Sequence, residues 1–185
     1  VDLAIFAIWF VIISVLIASM MANHSFSFTP THSKNLRQLA SQNKITVLHF
    51  LGTDCDCSKA VFKKLMQRYP RNDVEEKIFI IGKGTNWKKQ LEHHHYQNVM
   101  QNEMSYFEKL YDIKAVPQLS IINGEKLLYS GGYTKNRSSR DQIEEQEIID
   151  GVVHFKIVET RPIYGCINGS ENRKLIDPLN LKYSR

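Results

Sequence analysis

Between residues 45 and 69 the hydrophobic pattern changes period. The change falls on Gly52-Thr53-Asp54-Cys55-Asp56-Cys57-Ser58, which holds two of the three cysteines. Upstream, Ile45-Thr46-Val47-Leu48-His49-Phe50-Leu51 is β-branched and apolar and too short for a helix, so it reads as a buried strand. Downstream, Phe62, Leu65, Met66 and Tyr69 recur at i, i+3, i+4 and i+7, with Lys59, Lys63, Lys64, Gln67 and Arg68 on the other side. That spacing predicts a helix over about residues 57–69, stopped by Pro70. The thiols therefore sit at a helix N-terminus. A thiolate there faces free backbone N–H groups and the positive end of the helix dipole, and Lys59 adds a charge of the same sense. Asp54 and Asp56 push the other way, so these residues and Ser58 modulate the thiols with a net sign that stays open.

The rest of the chain extends this α/β pattern. Lys77-Ile78-Phe79-Ile80-Ile81 is a second short buried strand closed by Gly82 and Gly84. Strand, helix and strand make a βαβ unit with parallel strands. Residues 85–97 read as a polar, basic loop with Trp87 and His93-His94-His95, after which Met100, Met104, Phe107 and Tyr111 recur at helical spacing. Two apolar runs then flank Asn123-Gly124, a strong hairpin signal because both central residues of a type I′ turn need positive φ. Pro117 stands at the start of the first run, where proline is tolerated and an X-Pro bond can be cis. Residues 137–158 read as a long helix, with a strand over 152–158 as the alternative, and residues 159–185 as an extended tail containing Cys166.

Residues 3–22 carry no charge, and about twenty helical residues at about 1.5 Å each reach about 30 Å, the thickness of a bilayer core. A membrane span over residues 1–22 is expected. A cleaved signal peptide fits less well, because the apolar run is long and residues 17–22 offer no small-x-small site. No Lys or Arg precedes the span and the first to follow are Lys34 and Arg37, so charge alone slightly favours a cytoplasmic C-terminal side. Residues 23–43 read as a polar linker with a short helix near 34–40.

The net charge of +5, from 24 Lys+Arg against 19 Asp+Glu, is modest and spread along the chain, which argues against nucleic-acid binding and suits an anionic membrane surface. Three cysteines cannot all pair within one chain, and a close pair plus distant Cys166 is not the pattern of a disulfide-stapled scaffold. The thiols read as functional.

The order of strand, cysteine turn, helix, strand, helix, Val-Pro strand, hairpin, Gly131-Gly132 and helix resembles the thioredoxin superfamily, in particular its membrane-anchored bacterial members. Two pieces carry the likeness: residues 50–58 at the redox turn, and residues 111–117 through Asn123-Gly124 to Gly131-Gly132. The resemblance implies an α/β thioredoxin-like fold, a central mixed sheet flanked by helices, over residues 44–158. It implies a cis Pro117 whose preceding residue, Val116, binds the substrate chain beside the cysteines. It implies no cofactor, protein thiols or disulfides as partners together with a redox-recycling partner, and a soluble domain on the periplasmic side of a bacterial inner membrane.

The turn departs from the family's CxxC. If Cys55 holds the first position, Ser58 holds the second and Cys57 is an extra thiol; if Cys57 is the helix-side residue, the turn is one residue shorter. A disulfide across one intervening residue closes a strained ring, which favours an oxidising or isomerising couple. The expectation is thus a tethered thiol-disulfide oxidoreductase with an exposed turn, in which Cys55 attacks and Cys57 resolves. Cys166 is a third candidate: a second resolving thiol, a lock on either of the others, or idle. Two other functions fit the same residues. One is a partner-binding module without turnover. The other is a Cu(I) or metal assembly protein using Cys55 and Cys57, with His93, His94 and His95 in a solvated loop and His49 as a hydrogen-bonded core residue.

Overall fold

The structure is a computed structural model and describes residues 2–23, 27–30, 34–136 and 142–169. In chain order the elements are α1 (Asp2–Asn23), β1 (Ser27–Phe28), a 3-10 turn (Lys34–Leu39), β2 (Thr46–Gly52), α2 (Asp56–Leu65), β3 (Glu75–Ile81) and α3 (Trp87–His93). They continue with β4 (Asn98–Asn102), α4 (Met104–Tyr111), β5 (Ala115–Val116), β6 (Gln118–Asn123), β7 (Lys126–Gly131), α5 (Glu145–Val153), β8 (Ile163–Tyr164) and β9 (Cys166–Ile167).

The strand read from the β-branched run, β2, is buried at every residue because it lies at the centre of a five-stranded sheet ordered β4-β3-β2-β6-β7. Its neighbour β3 is parallel, with Phe50 opposite Phe79, and β6 is antiparallel, with Val47 opposite Ile121. Both faces of β2 are covered, which is why its sequence is mostly apolar instead of alternating, with buried Thr46 and His49 as the polar exceptions. Val47 and Leu51 face α2, α3 and α5 through Leu65, Leu91 and Ile148, while Leu48 and Phe50 face the 3-10 turn and α4 through Leu36 and Phe107. Helices thus flank a mixed sheet on both sides. The cysteine turn leaves the C-terminal end of its central strand.

Several boundaries differ from the periodic reading. The helix expected to run through Met100 and Met104 is two elements: residues 98–102 pair in parallel with β3 and only Met104–Tyr111 is helical. Backbone pairing at the open edge of β3 decides this, since Val99 is the one side chain of β4 buried in the core. The polar stretch before it contains α3, whose Trp87 and Leu91, four residues apart, are buried and whose Trp87 ring stacks on Phe62 at 4.5 Å. Helix α2 ends at Leu65, leaving Tyr69 exposed against the His94 ring. The hairpin forms, but Asn123 pairs with Lys126, so the turn is Gly124-Glu125 with Gly124 at φ +56°, at the position a type II′ turn gives to glycine.

Of the long helix expected over residues 137–158, α5 covers Glu145–Val153, and residues 137–141 lie outside the described ones. Val152 lies inside α5 and is buried, so the strand alternative does not form there. Val116-Pro117 is cis. At the N-terminus α1 is helical with exposed apolar side chains such as Phe6, Trp9 and Leu16. Among the described residues no helix is long and apolar enough to cross a membrane.

Candidate active site

Gly52 ends β2 and Asp56 begins α2, so three residues turn the chain. A Cβ on Gly52 would lie 2.7 Å from Val116 Cγ2, so the absence of a side chain is what lets the strand end pass β5. The Thr53 N–H donates to the Ile81 carbonyl at 3.0 Å, fixing the turn to the end of β3. Cys55 is the N-cap of α2, with extended backbone at φ −119° and ψ 116°, and its carbonyl accepts the Lys59 N–H at 3.0 Å as the helix's first bond. Three residues on, Ser58 is fully buried and its Oγ accepts the Gly52 N–H at 3.0 Å. Ser58 therefore lies beneath the turn, three residues after Cys55, with half-buried Cys57 between them.

The Cys55 thiol donates to the Val116 carbonyl at 3.4 Å. The segment that faces it from the other side is β9, which pairs antiparallel with β5 in the register Ala115 to Ile167 and Val116 to Cys166. The sulfurs of Cys166 and Cys57 both hydrogen-bond that of Cys55. These bonds, that to Cys166 first, and the N–H and hydroxyl of Ser58 favour the thiolate and outweigh the opposing effect of burial, so the Cys55 pKa falls well below the ordinary thiol value. The sign left open by the sequence is thus downward. Asp56 contributes little to the opposing side, because it is exposed and bound to Lys59 at 2.8 Å. Its hydrogen bond raises the Lys59 pKa. Asp54 is exposed.

The turn is exposed only in part, at Asp54 and Asp56. Cys55 is 1% exposed and Thr53 and Ser58 are buried, whereas Cys57 and Cys166 are half-buried. The cover over Cys55 is supplied by the chain's own β5 and β9. Reading along the sequence alone missed this pairing, for which the signal is Gly165: a Cβ there would lie 1.8 Å from the Val116 carbonyl oxygen.

The histidines separate. His94 Nε2 bonds the Arg68 carbonyl at 3.0 Å while His93 and His95 are exposed, so the triplet does not converge. His49 is a buried core residue whose Nδ1 meets the Tyr133 hydroxyl at 3.0 Å and whose Nε2 faces Glu76 Oε2 at 3.4 Å and Glu145 Oε1 at 3.9 Å. His49, Glu76 and Glu145 lie close enough together to hold an ion, but the Arg68 guanidinium already donates to both carboxylates. Burial opposes ionisation of Glu76, yet the bonds from His49 and Arg68 prevail and hold it at about 2. This is an internal ion network. Its trace in the sequence was His49, the one titratable residue of β2.

Comparison with known proteins places the architecture. No protein-family model matches the chain, and no curated protein matches it. Among solved structures it is similar to a hypothetical protein from Sinorhizobium meliloti 1021, with a TM-score of 0.51 at 14% identity over 69% of this chain and 80% of that one. An uncharacterized conserved protein from Geobacillus kaustophilus gives a TM-score of 0.50 at 18% identity over 80% of this chain and 90% of that one. A secreted Mycobacterium tuberculosis disulfide oxidoreductase homologous to E. coli DsbE gives a TM-score of 0.43 at 13% identity, over 66% of this chain and 94% of that one. At such identities the likeness concerns the fold. The fold is a mixed five-stranded sheet flanked by helices, the arrangement expected from the sequence resemblance. Within it, the chain's own particulars are a Cys-Asp-Cys-Ser turn and a cysteine-bearing strand beside the Val116-Pro117 bond.

Proposed function

We propose that the chain is a membrane-tethered thiol-disulfide oxidoreductase that exchanges disulfides with protein thiols through Cys55 and Cys57. The observation that carries this reading is the Cys55 sulfur, a helix N-cap whose hydrogen bonds stabilise its thiolate although it is buried. A buried thiol without such bonds is held protonated and inert. Exchange needs a sulfur that a client can reach, and here burial exchanges the roles assigned from the sequence. Half-buried Cys57 meets the client and Cys55 resolves.

The Cys57 thiolate attacks one sulfur of a client disulfide. The client S–S bond breaks, a mixed disulfide forms, and one client thiolate leaves and takes up a proton. The Cys55 thiolate then attacks the Cys57 sulfur, closing Cys55–Cys57 and releasing the second client thiol. A tether is supported by the uncharged run of residues 3–22 in the sequence. A periplasmic position is supported by the persistence of client disulfides in oxidising compartments.

The test is a redox titration of the full chain in detergent micelles across a glutathione series, with thiol trapping and mass analysis. A reversible two-electron transition is expected, and it should vanish when Cys55 and Cys57 are both replaced by Ser. Thiols that pair at no poise, or exchange that survives the double replacement, would overturn the reading. Labelling Cys57 in intact spheroplasts with a membrane-impermeant maleimide checks the side: modification without lysis is expected, and protection until lysis would put the domain in the cytoplasm.

A further inference from the structure

The segment that carries Cys166 is built into the domain at both ends. Before it, the Gly132 N–H donates to the Arg161 carbonyl at 3.0 Å, and Arg161 Nη2 meets Glu144 Oε2 at 2.7 Å. A Cβ on Gly132 would lie 2.2 Å from the Pro162 carbonyl oxygen, so the glycine is the reason this segment can cross the end of β7 so closely. After it, buried Asn168 donates from its side chain to the Ile113 carbonyl at 2.6 Å and from its backbone to the Lys114 carbonyl at 2.7 Å. Between these anchors Gly165 lets the backbone lie on the Val116 carbonyl, and the register places Cys166 opposite Val116, whose carbonyl is the Cys55 thiol's own partner. Cys166 is therefore held at the reactive sulfur by backbone geometry, independently of its thiol.

The three sulfurs are also ordered in a particular way. Cys55 is in hydrogen-bond contact with both of the others. Yet among the described residues the three do not form a cluster tight enough to share an ion. A central sulfur with a neighbour on each side suits transfer of a disulfide through it, and suits chelation poorly.

We propose that Cys166 is a catalytic thiol, that the disulfide is stored as Cys55–Cys166, and that Cys57 is the thiol that exchanges with the client. The relay presupposes the thiol exchange proposed above. After the client has been reduced and Cys55–Cys57 has closed, the Cys166 thiolate attacks the Cys55 sulfur. The Cys55–Cys57 bond breaks, Cys55–Cys166 forms, and Cys57 leaves as a thiolate that takes up the proton lost by Cys166. Exchange within the chain is isoelectronic. The two electrons and two protons that leave Cys55 and Cys166 reside on the former client disulfide, now two thiols. Storing the bond on Cys166 removes the strained Cys-x-Cys ring and returns Cys57 to its thiol form.

The experiment oxidises the full chain in detergent micelles with glutathione disulfide, alkylates the remaining thiols at low pH and maps the linked peptides by mass. Cys55–Cys166 with alkylated Cys57 is the expected product. Cys166→Ser should convert it to Cys55–Cys57, so that alkylation of Cys57 in the oxidised protein is lost. Gly165→Val, which pushes β9 off the Val116 carbonyl while keeping all three thiols, should do the same. If that variant loses its near-ultraviolet dichroism, Cys166→Ser decides alone. Cys55–Cys57 with alkylated Cys166 in the unaltered chain would overturn the relay and leave the exchange reading standing. No disulfide among the three, with no adduct to an unstructured peptide bearing one intramolecular disulfide, would overturn both.

Discussion

The fold contains two polar clusters, one at the C-terminal end of β2 and one beneath its middle, and they solve opposite problems. His49, Glu76 and Glu145 are buried between the sheet and α5, and the half-buried Arg68 guanidinium binds both carboxylates. Cys55, Cys57, Ser58 and Cys166 gather where a strand becomes a helix, and the stabilising groups are dipoles and weak donors instead of full counter-charges. The difference teaches what each is for. A cluster whose two carboxylates are held by one guanidinium acts on stability. A sulfur stabilised by hydrogen bonds alone keeps a lone pair for bond formation, and its cover is two short strands instead of a helix.

The sharpest way to break this contrast is Arg68→Met. It strands two buried carboxylates, and the expected loss is about 3–5 kcal/mol of stability in urea unfolding, with the alkylation profile of Cys55 unmoved in the folded fraction. A stable variant would mean that the network is not structural.

Acid titration sharpens the same side. Glu76 is depressed to about 2, so its contribution is present above the ordinary carboxylate range and is lost as pH falls through its folded value. Unfolding measured between pH 6 and pH 2 should show about 3 kcal/mol disappearing below about pH 4.3, and Glu76→Gln should flatten that limb.

On the thiol side the expected effects on stability are smaller and those on reactivity larger. Ser58→Ala removes the hydroxyl that faces Cys55 and the acceptor of the Gly52 N–H, costing about 1–3 kcal/mol. The Cys55 pKa should move up toward the ordinary thiol value, read from the pH dependence of iodoacetamide alkylation. The sign follows from the depressed thiol: the reduced protein gains stability from Cys55 above the unfolded thiol pKa and loses it as pH falls through the folded value. Ser58→Ala should narrow that window. Least of all, Lys59→Met breaks a surface pair with Asp56 and removes a charge that interacts with Cys55, so the urea midpoint should stay unmoved within measurement error and the alkylation profile should shift to higher pH by less than in Ser58→Ala.

Legibility followed range. The βαβ unit around Cys55 could be read because the period changes within a few residues and Pro70 and the Gly52 turn punctuate it. The β6–β7 hairpin was visible for the same reason, although its turn moved by one residue to Gly124-Glu125. Strand β4 was hidden because Met100 and Met104 happen to be spaced like a helix, while what makes residues 98–102 a strand is the unsatisfied edge of β3. Glu145 and Arg68, 77 residues apart, carried no sign of their pairing.

What the sequence determined by itself is local chemistry: a thiol pair at a helix start, an α/β succession, a Val-Pro step into a hairpin, and an uncharged apolar run at residues 3–22. Each follows from side-chain period or from residues with restricted φ, which need no distant partner. Only the tertiary structure decided that Ser58 lies beneath the turn, that the thiolate is favoured, and that Cys166 joins the site, with residues 55 and 166 brought together by β5 pairing with β9. Those outcomes depend on backbone hydrogen bonds and on close approaches at Gly52, Gly132 and Gly165, which arise only when segments far apart in the chain are packed on one sheet.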